Sequence, residues 1–242
     1  MTGRGNQDLA FLERNYAAMT LVKALLRKAR RRLLGWKAGI EPRFHAGFTV
    51  FDCAELDGGG SGFGRDYIRV LHDLGLRECG RLFEFCAGPG YIGYTLLAHG
   101  FCRSLVLADV NPLAAEAARK TAQFNRLDHR VTVYQCDGIE QLPETEKWDL
   151  VVGNPPHFCR WPGQAQLRAE DADWRLHRRF YAHVPRFLNP GASVLLQENA
   201  LGSEPGVFDP MIRASGGKLI QSIEGPDLGR GGRIYYLLAR WD

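Results

Sequence analysis

The 242-residue chain has no CxxC pair, no apolar run of membrane-spanning length and no signal-peptide pattern at its start. A zinc ribbon is therefore excluded, and so is a membrane helix read from hydropathy. The start gives no reason to expect secretion. Its six cysteines, Cys53, Cys79, Cys86, Cys102, Cys136 and Cys159, are scattered. Cys86, Cys102 and Cys136 stand in or beside apolar runs, where a free thiol acts as a small core residue. The expectation is a protein of a reducing, cytoplasmic compartment with no metal site. Internal repeats and low-complexity segments are also missing. With 45% hydrophobic residues the chain can bury one sizeable core.

Strong net charge is lacking too, at +4, but the charge is uneven. Residues 1–43 hold ten Lys or Arg against three acids, while the rest holds 21 against 24. Val22, Leu25, Leu26, Ala29 and Leu33 recur at helical spacing beside Lys23, Arg27, Arg30 and Arg31. This predicts a basic amphipathic helix. It reads either as a docking face for a polyanion or as a solvated helix face. It lacks the interleaved aromatics of single-strand binders and the boundary aromatics of membrane-surface helices.

Two parts are expected: a basic helical extension over 1–47 and a domain over 48–242. Glycines 58, 59, 60, 62 and 64 mark a flexible loop, followed by a short helix in "YIRVLHDLGL". After Arg81 apolar strands alternate with helical stretches. "RLFEFCA", "SLVLADV", "VTVYQCD", "WDLVVGN", "ASVLLQEN", "KLIQSIE" and "RIYYLLARW" are the strands. That alternation predicts an α/β domain with a doubly wound, seven-stranded, mostly parallel sheet. The last two strands are joined by "GPDLGRGG" with no helix, so they form a C-terminal antiparallel pair.

Gly88 and Gly90 let the first strand-to-helix turn run close to a ligand. Glu84 sits inside an apolar strand, where a lone carboxylate needs a partner. Asp109 and Asp137 end the next two strands. Open α/β sheets bind ligands at the carboxyl ends of their strands, and there these acids gather. The bland alternative is that each acid caps a helix. No Lys or Arg stands in the turn to meet a phosphate, which favours a cofactor that is cationic where it reacts.

With "FEFCAGPG", "LADVNP", "CDG" and "VVGNPPHF" in order, residues 81–240 resemble the class I S-adenosylmethionine-dependent methyltransferases, in their nitrogen-methylating branch. The resemblance implies a Rossmann-like fold and S-adenosylmethionine as cofactor. It implies that Glu84, Cys86, Gly88 and Gly90 lie beside the amino-acid end of that cofactor. Asp109, with Val110, would hold the ribose side, and Asp137, with Gly138, the adenine. Cys86 stands where many members have glycine.

In "NPPHF" the prolines stop the strand and stiffen the turn. An Asn side-chain oxygen and a carbonyl together accept both hydrogens of a planar NH₂ group. Asn154 would supply the first acceptor, also bordering the cofactor, and the Pro155 carbonyl the second. Pro156 keeps the unit rigid. His157 would stack on the acceptor, take a proton or only hold the loop; Phe158 is a second stacking candidate. Trp161, Trp174, His177, Arg178, Arg179, Glu198 and Asn199 are further expected substrate contacts, the arginines as bidentate binders of a carboxylate or phosphate, Glu198 and Asn199 having a helix cap as the alternative. The leading reading is methylation of a nitrogen on a small molecule, amino acid or peptide. The alternative is an RNA-base or protein-glutamine methyltransferase docking through the basic helix. A third is an inactive cofactor-binding scaffold.

Overall fold

The computed structural model describes residues 40–52, 56, 60–159, 170–229 and 232–241, with the backbone alone at 60 and 61. The basic helix, Gly58, Gly59 and Trp161 lie outside the described residues.

The first elements form a hairpin that the sequence reading missed. β1 (Glu41–His45) pairs antiparallel with β2 (Phe48–Asp52). Ala46 and Gly47 turn it with φ of 50° and 90°, which suits a two-residue turn that follows strand twist. The expected domain boundary at 47/48 falls at this turn, and Glu41–Asp242 make one compact unit.

The next helix, α1 (Gly60–Asp73), starts within the glycine-rich stretch that was read as a loop. Packing gives the reason at Gly64, where a Cβ would lie 2.7 Å from the Cβ of Thr95. Glycine lets two helices approach there, and its low propensity is overridden by tertiary contact. Buried Tyr67 pins α1 to the sheet, its hydroxyl 2.6 Å from the Gly153 carbonyl and 3.0 Å from that of Leu195.

The main sheet follows the expected alternation. Its strands are β3 (Cys79–Phe85), β4 (Cys102–Asp109), β5 (Val131–Gln135), β6 (Trp148–Gly153), β7 (Leu188–Asn199), β8 (Gly217–Asp227) and β9 (Arg233–Trp241). Their order is β5-β4-β3-β6-β7-β9-β8. β3 to β7 are parallel, whereas β9 runs antiparallel to both β7 and β8. Order reverses between β3 and β6, the place where such sheets open a ligand crevice.

Both faces are covered, which is why the central strands read as continuous apolar runs. Along β3, Leu82 joins the core under α1, α2 (Tyr91–Ala98) and α3 (Pro112–Phe124). Phe83 and Phe85 join the opposite core, under α4 (Arg175–His183) and α5 (Pro205–Ala214). The hairpin fastens to α3 by local chemistry: the Phe51 amide donates to Thr121, and Asn125 exchanges two bonds with the Thr49 backbone. No helix of the described residues is long and apolar enough to cross a membrane.

Candidate active site

The turn from β3 to α2 uses three left-handed residues, Cys86, Gly88 and Gly90, with φ of 53°, 55° and 85°. At Gly90 a Cβ would lie 2.7 Å from Leu107, so only glycine fits. Around Gly88 there is open space, so glycine serves conformation there. Cys86 holds a conformation that costs a side-chain residue about 1–2 kcal/mol. This accounts for glycine being common at that position, and burial keeps its thiol neutral by raising its pKa well above normal.

Two carboxylates brace the turn from below. Glu84 is 2% exposed and accepts from the Gly93 amide at 2.7 Å. Burial raises its pKa to about 8, against the lowering effect of the Gly93 and Ile92 amides. Asp109, at the end of β4, accepts from the Gly88 amide at 2.7 Å and the Asn111 amide at 2.8 Å. Its pKa is also raised, chiefly by burial. Asn111 then caps α3 by accepting from the Leu113 amide, with Pro112 at the first helical position. At α3 the cap is thus Asn111 and not Asp109, whereas Glu84 does accept from an amide in the first turn of α2.

A crevice opens above this turn, lined by Cys86, Asp109, Val110, Asp137, Gly138 and Leu176, among others. Val110 is 59% exposed at its rim. Gly138 has a φ of 114°, and any Cβ there would strike Glu140 and Arg179. Arg179 of α4 donates to the Asp137 carbonyl and to Glu140, and reaches the Asp137 carboxylate at 3.4 Å. Arg179 was read as an arginine able to bind a carboxylate or phosphate of a substrate. The carboxylate it binds here is Glu140 of its own chain, which the sequence reading did not single out because the pairing joins α4 to the end of β5 and leaves no local signal.

On the other side of the switch point, Asn154 follows the last residue of β6. Its Oδ1 is buried without a hydrogen-bond partner among the described residues. Gly153 permits the close approach of β3 here, because a Cβ would meet the Phe85 carbonyl at 2.6 Å. Pro155 is buried and Pro156 half-buried. The Phe158 carbonyl accepts from the Asp171 amide at 2.8 Å, tying the turn to the entry of α4. Any Cβ at Gly202 would hit the His157 carbonyl, so the loop after β7 also closes on the turn.

Three expected substrate contacts are placed differently. Trp174 is 8% exposed and packs on Phe208 and His177. His177 and Glu198 are fully buried. None of these three faces solvent, so their part in this structure is support. His177 Nδ1 lies 2.7 Å from Asp171 and Nε2 lies 3.0 Å from Glu198. The other Glu198 oxygen lies 3.4 Å from His157 Nδ1. Burial alone would lower the His177 pKa, but Glu198 and Asp171 together raise it to about 9. Asp171 was not singled out in the sequence; an acid just before a helix was its only signal, and it caps α4 at the Leu176 and His177 amides.

Arg178 is exposed and donates only to the Asp173 carbonyl among the bonds found for it. Asn199 is buried and its Oδ1 accepts from the Leu201 amide, which makes it a turn cap. The cap alternative thus describes Asn199 and not Glu198. Gln197, which the sequence reading passed over, is fully buried with neither amide atom partnered.

A family model described as methyltransferase small domain matches residues 43–202. Ribosomal RNA small subunit methyltransferase C of Actinobacillus pleuropneumoniae is 28% identical over 161 residues, covering 66% of this chain and 44% of that protein. The tRNA1(Val) (adenine(37)-N6)-methyltransferase of a Flavobacteriaceae bacterium is 28% identical over 88 residues, 36% of this chain and 38% of that one. Among solved structures, a T. thermophilus 16S rRNA N2 methyltransferase in complex with AdoMet and guanosine has a TM-score of 0.57. It shares 16% identity and covers 84% of this chain and 50% of its own, a likeness of fold. The chain matches less than half the length of these curated relatives.

Proposed function

Because the chain belongs to the methyltransferase small domain family, with the fold of class I S-adenosylmethionine-dependent methyltransferases, we propose that it transfers a methyl group to a nitrogen of an RNA base. The observation that carries the reading is Asn154 Oδ1, a buried acceptor with no partner among the described residues, on a turn stiffened by Pro155 and Pro156. A buried polar atom left unpaired costs about 1–3 kcal/mol. An NH₂ group of an acceptor base would satisfy it.

The residues present fit S-adenosylmethionine. The turn offers glycine backbone and no Lys or Arg, and two carboxylates stand beneath it. Glu84 would serve the amino-acid end, Asp109 the ribose hydroxyls, and Asp137, already shared with Arg179, the adenine. Bound there, the cofactor supplies an electrophilic methyl carbon on a sulfonium. Asn154 Oδ1 and the Pro155 carbonyl accept both N–H bonds of the acceptor and hold its lone pair in line. They also stabilise positive charge that grows on the nitrogen, since dipoles aimed there need no reorganisation. Asp109→Ala is expected to weaken cofactor binding by about 2–3 kcal/mol, the value of hydrogen bonds to a charged group. Calorimetry showing unchanged affinity would remove Asp109 from the ribose role.

The relatives named for ribosomal and transfer RNA support the RNA acceptor over the small-molecule acceptor of the leading sequence reading. The test is transfer of radiolabelled methyl groups into an extract of the host lacking this enzyme. Label should enter a nuclease-sensitive fraction, and RNA affinity should fall steeply with salt, because phosphate contacts release counterions. Label confined to small molecules would sink the RNA reading. Label in a protease-sensitive fraction would replace it with a glutamine side chain.

A further inference from the structure

We propose that Asp171, His177 and Glu198 are positioning residues that fix the tautomer of His157 and turn it into the proton acceptor of the reaction. The proposal rests on the Asn-Pro-Pro turn being the transfer site. It begins from an anchor: both Asp171 oxygens accept backbone amides at the start of α4, at 2.8 and 3.1 Å. His177 is wedged between that carboxylate and Glu198, at 2.7 and 3.0 Å, with no exposed surface on its side chain. A carboxylate only accepts, so both ring nitrogens of His177 must donate, and only an imidazolium does that. Glu198 is thereby held ionised, one oxygen on His177 and the other 3.4 Å from His157 Nδ1.

That second oxygen sets the tautomer of His157. It accepts a hydrogen bond from Nδ1–H, which leaves Nε2 of the neutral ring with a bare lone pair. Among the described residues no hydrogen bond is found at that Nε2, and the His157 side chain is 14% exposed beside Asn154 and the prolines. The other titratable groups around Glu198 are Tyr67, Tyr181, Tyr235 and Cys86, from α1, α4, β9 and the β3–α2 turn. Burial pushes the pKa of all four up, so they stay neutral and do not compete as cations. Two carboxylates against one imidazolium leave one buried negative charge beside the His157 ring.

The chemistry balances with one proton. The acceptor nitrogen's lone pair forms the N–CH₃ bond, and the C–S electron pair leaves with sulfur. The nitrogen, now cationic, releases to His157 Nε2 one of the two protons that Asn154 Oδ1 and the Pro155 carbonyl had held as hydrogen bonds. Removing four groups from water is costly unless every partner is in place. Such a chain leading from a helix cap to the turn specifies one ring orientation, which a Phe or Tyr at 157 would not need.

The test is ¹⁵N NMR of the imidazole rings in the whole chain, with no acceptor present. Wild type should show His157 as the Nδ1–H tautomer and His177 as an imidazolium. Glu198→Gln should abolish the His157 preference and lower kcat on the order of a hundredfold. Its KM for the acceptor should change little, and the acidic limb of its pH–rate profile should move. A wild-type His157 protonated at Nε2 would overturn the proposal, even if Glu198→Gln failed to fold. So would a Glu198→Gln enzyme whose pH profile is unchanged. Because the tautomer is read without substrate, a protein that methylates no nitrogen overturns the proposed function separately.

Discussion

Asn154→Ala is expected to fold, bind S-adenosylmethionine and lose turnover by about a hundredfold to a thousandfold. The size follows from what the side chain does. A preorganised acceptor aimed at developing charge in a closed site is worth about 3–4 kcal/mol in a transition state. The Pro155 carbonyl would remain as the second acceptor, so activity should not vanish. Stability should hardly suffer, because Oδ1 has no partner to lose among the described residues. Removing an unpaired buried oxygen even relieves a desolvation cost. Single-turnover kinetics and cofactor titration check this together. If cofactor affinity fell while single-turnover chemistry stayed fast, Asn154 would be a cofactor ligand with no part in the methyl-transfer step.

Glu84→Gln is expected to act in the opposite sense, raising stability while weakening cofactor binding. Glu84 is buried in the sheet, and its pKa rises from the ordinary 4.5 to about 8. For a carboxyl whose folded pKa is raised, the native state holds the extra proton between those two values. Stability is therefore greatest below the unfolded pKa and falls as pH rises toward 8. At pH 7 the accumulated loss is about 3 kcal/mol on the scale of 1.36 kcal/mol per unit. Glutamine still accepts from the Gly93 amide but carries no charge to be desolvated. Its melting temperature should match wild type near pH 4 and exceed it near pH 8. The gain would come at the expense of the carboxylate proposed for the cofactor's amino-acid end, a common trade between stability and function. A melting curve in which the variant falls with pH as steeply as wild type would place the titration on another group.

Much of the fold was legible in the sequence. Seven strands and the helices between them announce themselves because both faces of the central strands are buried, giving apolar runs bounded by turns. The antiparallel end followed from the missing helix between β8 and β9. The hairpin β1–β2 was not legible: Pro42 interrupts so short a strand, and the pair is held by α3 through Thr121 and Asn125, far off in sequence. Nor was the start of α1, where helix packing at Gly64 outweighs the glycine signal.

The sequence by itself determined the family, the glycine turn and the stiff Asn-Pro-Pro turn, because those depend on residue type at short spacing. Backbone conformation at Gly90 and the rigidity of two prolines are local properties. Only the tertiary structure decided which polar residues face the crevice and which hold it up. His177 and Glu198 read as substrate contacts until α4 and β7 are packed together and both are buried. Arg179 reads as a binder of a substrate carboxylate or phosphate until it clasps the end of β5. Asp171 reads as loop until it supports a histidine six residues on. Burial and pairing are set by which strands and helices become neighbours, and in a sheet ordered β5-β4-β3-β6-β7-β9-β8 those neighbours lie far apart along the chain.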